Sequence, residues 1–308
     1  MESSDSQDRL ANAKTLASFP SHEQAATYLR QLNADRERDN LNAPQNNFVD
    51  FAREWNAIPA ALKGYDFTSQ SDSTAGKEII FIVGLSRSGK SSIERILNAL
   101  DPFKDCGELS TTSDMFYDLD GPDGRTYKYP DYLPLLPQQA LAPMGADFIS
   151  ALQKDAACMD KIILNTMPTN FIYIPLIKAI APRAKIIWCH REPQTHCINM
   201  FIKSFKHEAW NFTNSIDRIV ETYQSYQRIY QFYKEKMPDN FIDVQYEDMM
   251  KDPKKTLSTL LENAGYDIPA SALKKAIQDN QSYLNVIEAE HTLLRNYTPY
   301  FPELHTLL

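Results

Sequence analysis

No stretch of this 308-residue chain is long and apolar enough to span a membrane. An excess of positive charge is missing too: 32 Lys and Arg stand against 40 Asp and Glu, a net charge of −8. That balance argues against a nucleic-acid surface as the main partner, so any anion site must be a local basic pocket in an acidic protein. Cysteine is sparse. Cys106, Cys158, Cys189 and Cys197 form no Cys-x-x-Cys pair, so they read as reduced, mostly buried thiols of a cytoplasmic protein, not as a disulfide framework or a zinc site. The opening residues, Met1-Glu2-Ser3-Ser4-Asp5-Ser6, lack the basic start and apolar core of a signal peptide. What remains is an ordinary globular composition, enough for one large domain or a domain with an appendage.

The stretch from Lys77 to Leu97 organises the rest. Ile79-Ile80-Phe81-Ile82-Val83 is a continuous apolar, β-branched run, the pattern of a strand buried on both faces of a parallel sheet. It breaks at Gly84 into a small polar turn. Ile93, Ile96, Leu97 and Leu100 then recur at helical spacing. The sequence therefore predicts strand, tight loop and helix, with the loop at the helix N-terminus. Backbone N–H groups there lack intrahelical partners and the helix dipole adds partial positive charge, so the place suits an anion, usually a phosphate. Gly84 to Ser91 also fits G-x-x-x-x-G-K-[ST] in full, with Lys90 placed to reach the bound group.

Along the chain, residues 1–12 are polar and read as frayed. Ser21 and Gln24 resemble a capping box, followed by a helix face of Ala25, Tyr28, Leu29 and Leu32. A second helix is predicted over about 47–56, with Phe48, Phe51, Ala52 and Trp55 on one side. Residues 68–76 are small and polar, a linker. Residues 1–76 thus read as a helical N-terminal extension that packs on the core domain or on another subunit, so a homodimer is allowed; residues 77–308 form the main domain. Residues 111–146, rich in Pro, Tyr and Asp, read as a long loop-rich insertion, and long ordered loops in α/β domains are often functional and selective for a ligand. Its acidity and aromatics suggest a cationic or amphipathic small molecule. Asp118, Asp120 and Asp123 read as turn chemistry, not a calcium loop, because the position for the closing Glu holds Tyr129. Further strands are predicted at Lys161–Leu164, Lys185–Arg191 and Phe241–Tyr246. Helices are predicted over 171–180, 194–205, 214–236 (with Ile216, Ile219, Val220, Tyr223, Tyr226, Tyr230 and Tyr233 nearly aligned) and from Asp252-Pro253 to Gly265. This alternation predicts an α/β fold with a mainly parallel central sheet flanked by helices.

A kinase or NTPase with this loop would place Ser91 on Mg²⁺ and needs an Asp at the end of a second apolar strand. Ile162-Ile163-Leu164 ends in Asn165 and the next strand in His190-Arg191. The sequence therefore suggests a donor bound without metal.

Five blocks carry a resemblance. Phe81 to Gly89 resembles the 5′-phosphosulfate loop of sulfotransferases that use 3′-phosphoadenosine 5′-phosphosulfate (PAPS). Cys106-Gly107-Glu108-Leu109 resembles the segment with their catalytic glutamate. Met167-Pro168-Thr169-Asn170-Phe171 is similar to their central region, and His190-Arg191-Glu192-Pro193 through Asn199 and Lys203 to their 3′-phosphate site. Tyr246-Glu247-Asp248 with Asp252-Pro253 resembles a C-terminal block. The blocks keep the family's order over about residues 78–265 and are nearest the bacterial and tyrosylprotein-type group. The resemblance implies a P-loop NTPase-like sulfotransferase fold and transfer of a sulfuryl group from PAPS to a hydroxyl or amine of a small molecule, with release of the bisphosphate PAP. It implies Arg87, Ser88, Gly89, Lys90, Ser91 and Ser92 on the phosphosulfate and Arg191, Asn199 and Lys203 on the 3′-phosphate. Tyr246 would lie near the adenine and Glu108 would act as base, with Lys90 and Arg87 stabilising developing charge. His196 and His207 are weaker base candidates. The chain departs from the family at Lys90-Ser91, where Thr-Thr is usual, and at Thr166, where many members carry Lys. It also departs in the tail, where only Arg295 stands in for a basic closing loop. Two alternatives remain: a P-loop kinase, since Gly84 to Ser91 also looks like the adenylylsulfate kinase loop, and a non-catalytic nucleotide-binding protein.

Overall fold

The computed structural model describes residues 14–41, 49–121, 123–203, 205 and 208–307. The predicted frayed start, Asn47, Phe48 and His207 lie outside them. Seven strands occur among these residues: β1 (Ile79–Val83), β2 (Phe103–Asp105), β3 (Asp118–Asp120), β4 (Thr126–Lys128), β5 (Ile162–Asn165), β6 (Lys185–His190) and β7 (Phe241–Gln245). Contacts divide the chain into two compact units, one of residues 56–190 and 229–279, the other of the described residues in 1–55, 191–228 and 280–308.

The first unit holds a five-stranded sheet in the order β2-β5-β1-β6-β7, with every neighbouring pair parallel. β1 is central, and all five of its residues are buried. Each large aliphatic side chain so buried is worth about 1.5–3 kcal/mol, which is why the most apolar run takes the middle. Helices Lys90–Leu97, Gln138–Asp155, Ile174–Ile180, Pro253–Ala264 and Ala270–Asp279 belong to the same unit. The fold is thus α/β with a mainly parallel sheet flanked by helices. A parallel sheet sends all its strand exits to one edge, so the segments after β1, β2 and β5 emerge together; in open α/β sheets ligands bind beyond that edge.

Several local expectations change. The insertion is far less loop-like than its composition suggests: it folds as a helix (Thr111–Phe116), the β3–β4 hairpin, a 3-10 turn and then the 18-residue helix Gln138–Asp155. That helix starts after Pro137 and tolerates Pro143 within its first turns, and the prolines hid it. The hairpin aspartates take hydrogen bonds inside the turn, Asp120 from Thr126 and Asp123 from Arg125 N–H and Tyr127. The linker is pinned down, with Ser71 N–H donating to Ala179 O at 2.7 Å. The helix expected over 171–180 begins as a 3-10 turn, Pro168–Tyr173. Tyr246 does not end β7; it opens the helix Tyr246–Lys251. Asp252 caps the following helix by accepting from Lys255 N–H, and Gly265 closes it in the left-handed conformation, as expected.

In the second unit the helix His22–Leu41 buries Ala25, Ala26, Leu29 and Asn33. Tyr28, expected on that face, is exposed and packs beside Phe19 instead. Asn33 Nδ2 donates to Phe201 O at 2.9 Å, and Arg30 holds Glu303 through both guanidinium nitrogens. The helix Pro193–Ile202 carries Pro at its first position, and Glu192 caps it by accepting from Thr195 N–H. The helix Gln281–Arg295 was not anticipated.

Candidate functional site

The loop after β1 runs straight into a helix N-terminus. Gly89 has φ +102 and caps the helix Lys90–Leu97 with no side-chain bond, leaving the helix N-terminus to other acceptors. Arg87 is one of two non-glycine residues with positive φ among the described ones. Gly84, with φ +142, has Cys189 O where a Cβ would sit, 2.8 Å away. A Cβ on Gly89 would come within 2.5 Å of Tyr246 Cδ2. Tyr246 is buried, so its ring cannot yield. Gly89→Ala should therefore cost about 1–3 kcal/mol in backbone strain, read as a lowered melting temperature together with lost nucleotide binding.

Ser88 Oγ is buried and has no hydrogen-bond partner. An orphaned hydroxyl costs free energy unless a ligand satisfies it, so its place on an anion loop fits a bound phosphate or sulfate oxygen. Ser92 is buried on the first helical turn and Ser91 is exposed.

Lys90 is only 4% exposed, and its Nζ donates to Leu85 O at 2.9 Å. Burial pulls the ammonium below its ordinary value; Glu108, Cys189 and Glu94 push it back up, and Arg87 lowers it further. These couplings place Glu108 and Arg87 around Lys90. Glu108 itself is exposed, on the segment leaving β2. The sequence-predicted residues 87–92, Glu108 and Tyr246 thus fall in one unit.

The segment bearing Glu108 is held at several points. Cys106 N–H donates to Leu164 O, Thr166 N–H to Gly107 O, and Asn165 Nδ2 to Leu109 O. Glu94 Oε1 accepts the Gly107 N–H at 3.0 Å. Glu94 escaped the sequence reading; its signal was a carboxylate four residues past Lys90, hence on the same helix face, between buried Ile93 and Ile96.

Arg191, Asn199 and Lys203 belong to the other unit. Arg191 is 2% exposed. Its guanidinium meets His291 Nδ1 at 3.3 Å, and its carbonyl accepts the Tyr223 hydroxyl at 3.4 Å. Asn199 Nδ2 donates to the buried Glu290 at 3.2 Å. Lys203 is partly exposed and ends its helix. Glu290 and His291 were also missed. His196 is buried, edge-on to Tyr223, and Arg295 is exposed.

A central parallel sheet with a glycine-flanked loop at the carboxyl end of its middle strand, and a lysine and a carboxylate beside that loop, gives an α/β protein with a phosphate-loop-like arrangement. Residues 79–270 match the model of the sulfotransferase family, and the chain belongs to that family. An Aquifex aeolicus (strain VF5) protein, itself described only as uncharacterized, is 22% identical over 194 residues; the match takes in 60% of this chain and 25% of that protein, so the chain spans about a quarter of the length of this curated relative. Among solved structures, sulfotransferase STF9 from Mycobacterium avium is similar at 14% identity, with 92% of this chain and 96% of that chain covered and a TM-score of 0.45. Mouse sulfotransferase SULT7A1 complexed with PAP is similar at 15% identity, with 70% and 69% covered and a TM-score of 0.36.

Proposed function

We propose that the chain transfers a sulfuryl group from PAPS to a hydroxyl or amine of a small-molecule acceptor and releases PAP. The observation that carries this reading is the trio at the loop: buried Lys90, Arg87 in a strained conformation, and Glu108 coupled to Lys90. In this reading the acceptor oxygen or nitrogen attacks sulfur as the bond from sulfur to the bridging phosphate oxygen breaks. Glu108 takes the acceptor's proton. Lys90 and Arg87 meet the charge that builds on the bridging and sulfonyl oxygens, where prepositioned donors matter most.

Ser88, Gly89, Ser91 and Ser92 would hold the 5′ end, and the orphaned Ser88 hydroxyl supports this. Arg191, Asn199 and Lys203 would hold the 3′-phosphate, since a planar guanidinium matches phosphate in a fork. Tyr246 earns its place through its ring against Gly89. The insertion 111–146 would select the acceptor. A cavity of about 600 Å³ among its residues, walled by Met115, Phe116, Leu119, Leu135 and Met144, favours apolar character in that acceptor. No metal role is assigned, because β5 and β6 end in Asn165 and His190 where a metal-holding Asp would be needed. No described helix is long and apolar enough to cross a membrane; with four free thiols, three of them buried, a cytoplasmic setting is proposed.

A thermal-shift comparison tests the donor. PAP without Mg²⁺ should raise the melting temperature, since a ligand at a hundred times its Kd adds about 2.7 kcal/mol. Stabilisation by ATP with Mg²⁺ and not by PAP would overturn the reading in favour of a kinase. PAPS with an acceptor panel, followed by mass spectrometry, then tests transfer.

A further inference from the structure

Glu94 is a carboxylate placed where charge is disfavoured, 9% exposed on the helix that starts at Lys90. It does not float there. Its Oε1 accepts the Gly107 N–H at 3.0 Å, and the Thr166 hydroxyl lies 3.4 Å from its Oε2. Gly107 is gripped from the other side as well, its carbonyl accepting the Thr166 N–H at 2.8 Å. With φ +65, Gly107 makes the turn that a side chain would resist. Glu108 is the next residue. Its backbone is therefore aimed by a peptide clamped between the loop helix and the exit of β5, and one jaw of the clamp is Glu94.

We propose that Glu94 is a positioning residue of the transfer site: by holding the Gly107 amide it sets the direction of Glu108. This rests on the sulfuryl-transfer reading for its kinetic consequence, but not for the clamp itself.

The groups that face Glu94 are Lys90 on its own helix, Asp105, Gly107 N–H and Glu108 on the segment leaving β2, and the Thr166 hydroxyl after β5. The helix Ala270–Asp279 packs on the loop helix, and its charged residues Lys274, Lys275 and Asp279 are exposed, Lys275 and Asp279 pairing with each other. Burial raises the Glu94 carboxyl to about 7; the Gly107 N–H pulls it down, Asp105 pushes it up, Thr166 lowers it and Glu108 raises it. Its charge therefore changes near neutrality, and with it the strength of the bond to Gly107, because an ionised acceptor binds an N–H more tightly than a neutral one. The sign for stability follows from the same shift. The folded chain holds this proton more tightly than the unfolded chain, whose carboxyl titrates near 4.5, so the contribution of Glu94 to stability declines as pH rises from about 4.5 to about 7.

Glu94→Gln keeps an oxygen for Gly107 and cannot titrate; Glu94→Leu keeps neither. The test measures kcat, KM and their pH profiles, PAP affinity, melting temperature against pH, and amide exchange at Gly107. Expected for Glu94→Leu is a fall in kcat of about 10- to 100-fold with PAP affinity nearly kept, as for other residues that orient a reacting group, and faster exchange at Gly107. Expected for Glu94→Gln is recovery of most of kcat, loss of the inflection near neutrality, and a melting temperature that gains on the unaltered chain as pH rises through the same window. An unaltered kcat and pH profile in Glu94→Leu overturns the proposal, and so does a loss of PAP affinity in step with melting temperature in both variants, which marks a merely structural role. If the unaltered chain neither binds PAP nor transfers, the transfer reading fails, while Gly107 exchange in the two variants still decides the clamp.

Discussion

Replacing Lys90 with methionine is expected to lower kcat by about 10²- to 10³-fold, the usual cost of losing one prepositioned donor to a developing oxyanion. PAP binding should change only a few-fold. Methionine keeps most of the stem in a site that is 4% exposed, so packing is largely spared. What disappears is the ammonium. One of its three N–H groups is committed to Leu85 O at 2.9 Å, leaving two for donor oxygens. The transition state carries more charge on the bridging oxygen than the bound donor does, so the loss falls on kcat. Leu85 O keeps the Ser88 N–H at 3.2 Å, so losing the lysine bond costs only about 0.5–1.5 kcal/mol of stability, a few degrees of melting temperature at most. Thr166 here faces a carboxylate, its Oγ1 3.4 Å from Glu94 Oε2, and on the proposed reading Lys90 would supply the cation from the loop side. Full turnover by Lys90→Met, with PAP bound as before, would remove Lys90 from the chemistry.

The parts of this protein that were legible in the sequence are those set by local pattern. An apolar β-branched run must be a central strand, and a Gly-to-Gly-Lys-Ser turn after it must sit at a helix start; Ile79–Val83 and Lys90–Leu97 form as expected. Glu108 came from the resemblance, and its electrostatic coupling to Lys90 appears only once the sheet brings the exits of β1 and β2 to one edge. β2 escaped because three residues carry no periodicity. The helix Gln138–Asp155 escaped because Pro137 and Pro143 read as loop, whereas one precedes its first turn and the other lies early within it. Charged residues in buried places escaped for a different reason. Nothing local marks Glu94 as the partner of an amide 13 residues away, or Glu290 as the partner of Asn199 across 91 residues. A sequence records that a carboxylate exists, while its burial and its partner are properties of the assembled fold.

Arg191→Lys is expected to weaken PAP binding by about 10- to 100-fold and to leave kcat at saturating donor nearly unchanged. Arg191 is 2% exposed and keeps its charge in the variant, so the change removes the fork and not the cation. A bidentate guanidinium–phosphate pair reduced to a single ammonium contact loses one charge-assisted hydrogen bond, about 1.5–3 kcal/mol. A group far from the sulfur holds ground state and transition state alike, so KM rises and kcat does not. The effect must be specific to the 3′ end. Adenosine 5′-phosphate lacks the 3′-phosphate, and its affinity should be the same for both proteins, so the preference for PAP over it should collapse in the variant. Glu290 sharpens the test. Its buried carboxylate accepts from Asn199 Nδ2 at 3.2 Å and would compete with a 3′-phosphate for that amide while repelling its charge. Glu290→Gln removes the charge and should tighten PAP binding by several-fold to tenfold, the reverse of Arg191→Lys and again with no change for adenosine 5′-phosphate. If Arg191→Lys weakens both nucleotides equally, or neither, the guanidinium serves its own unit through His291 and the 3′-phosphate must be bound elsewhere.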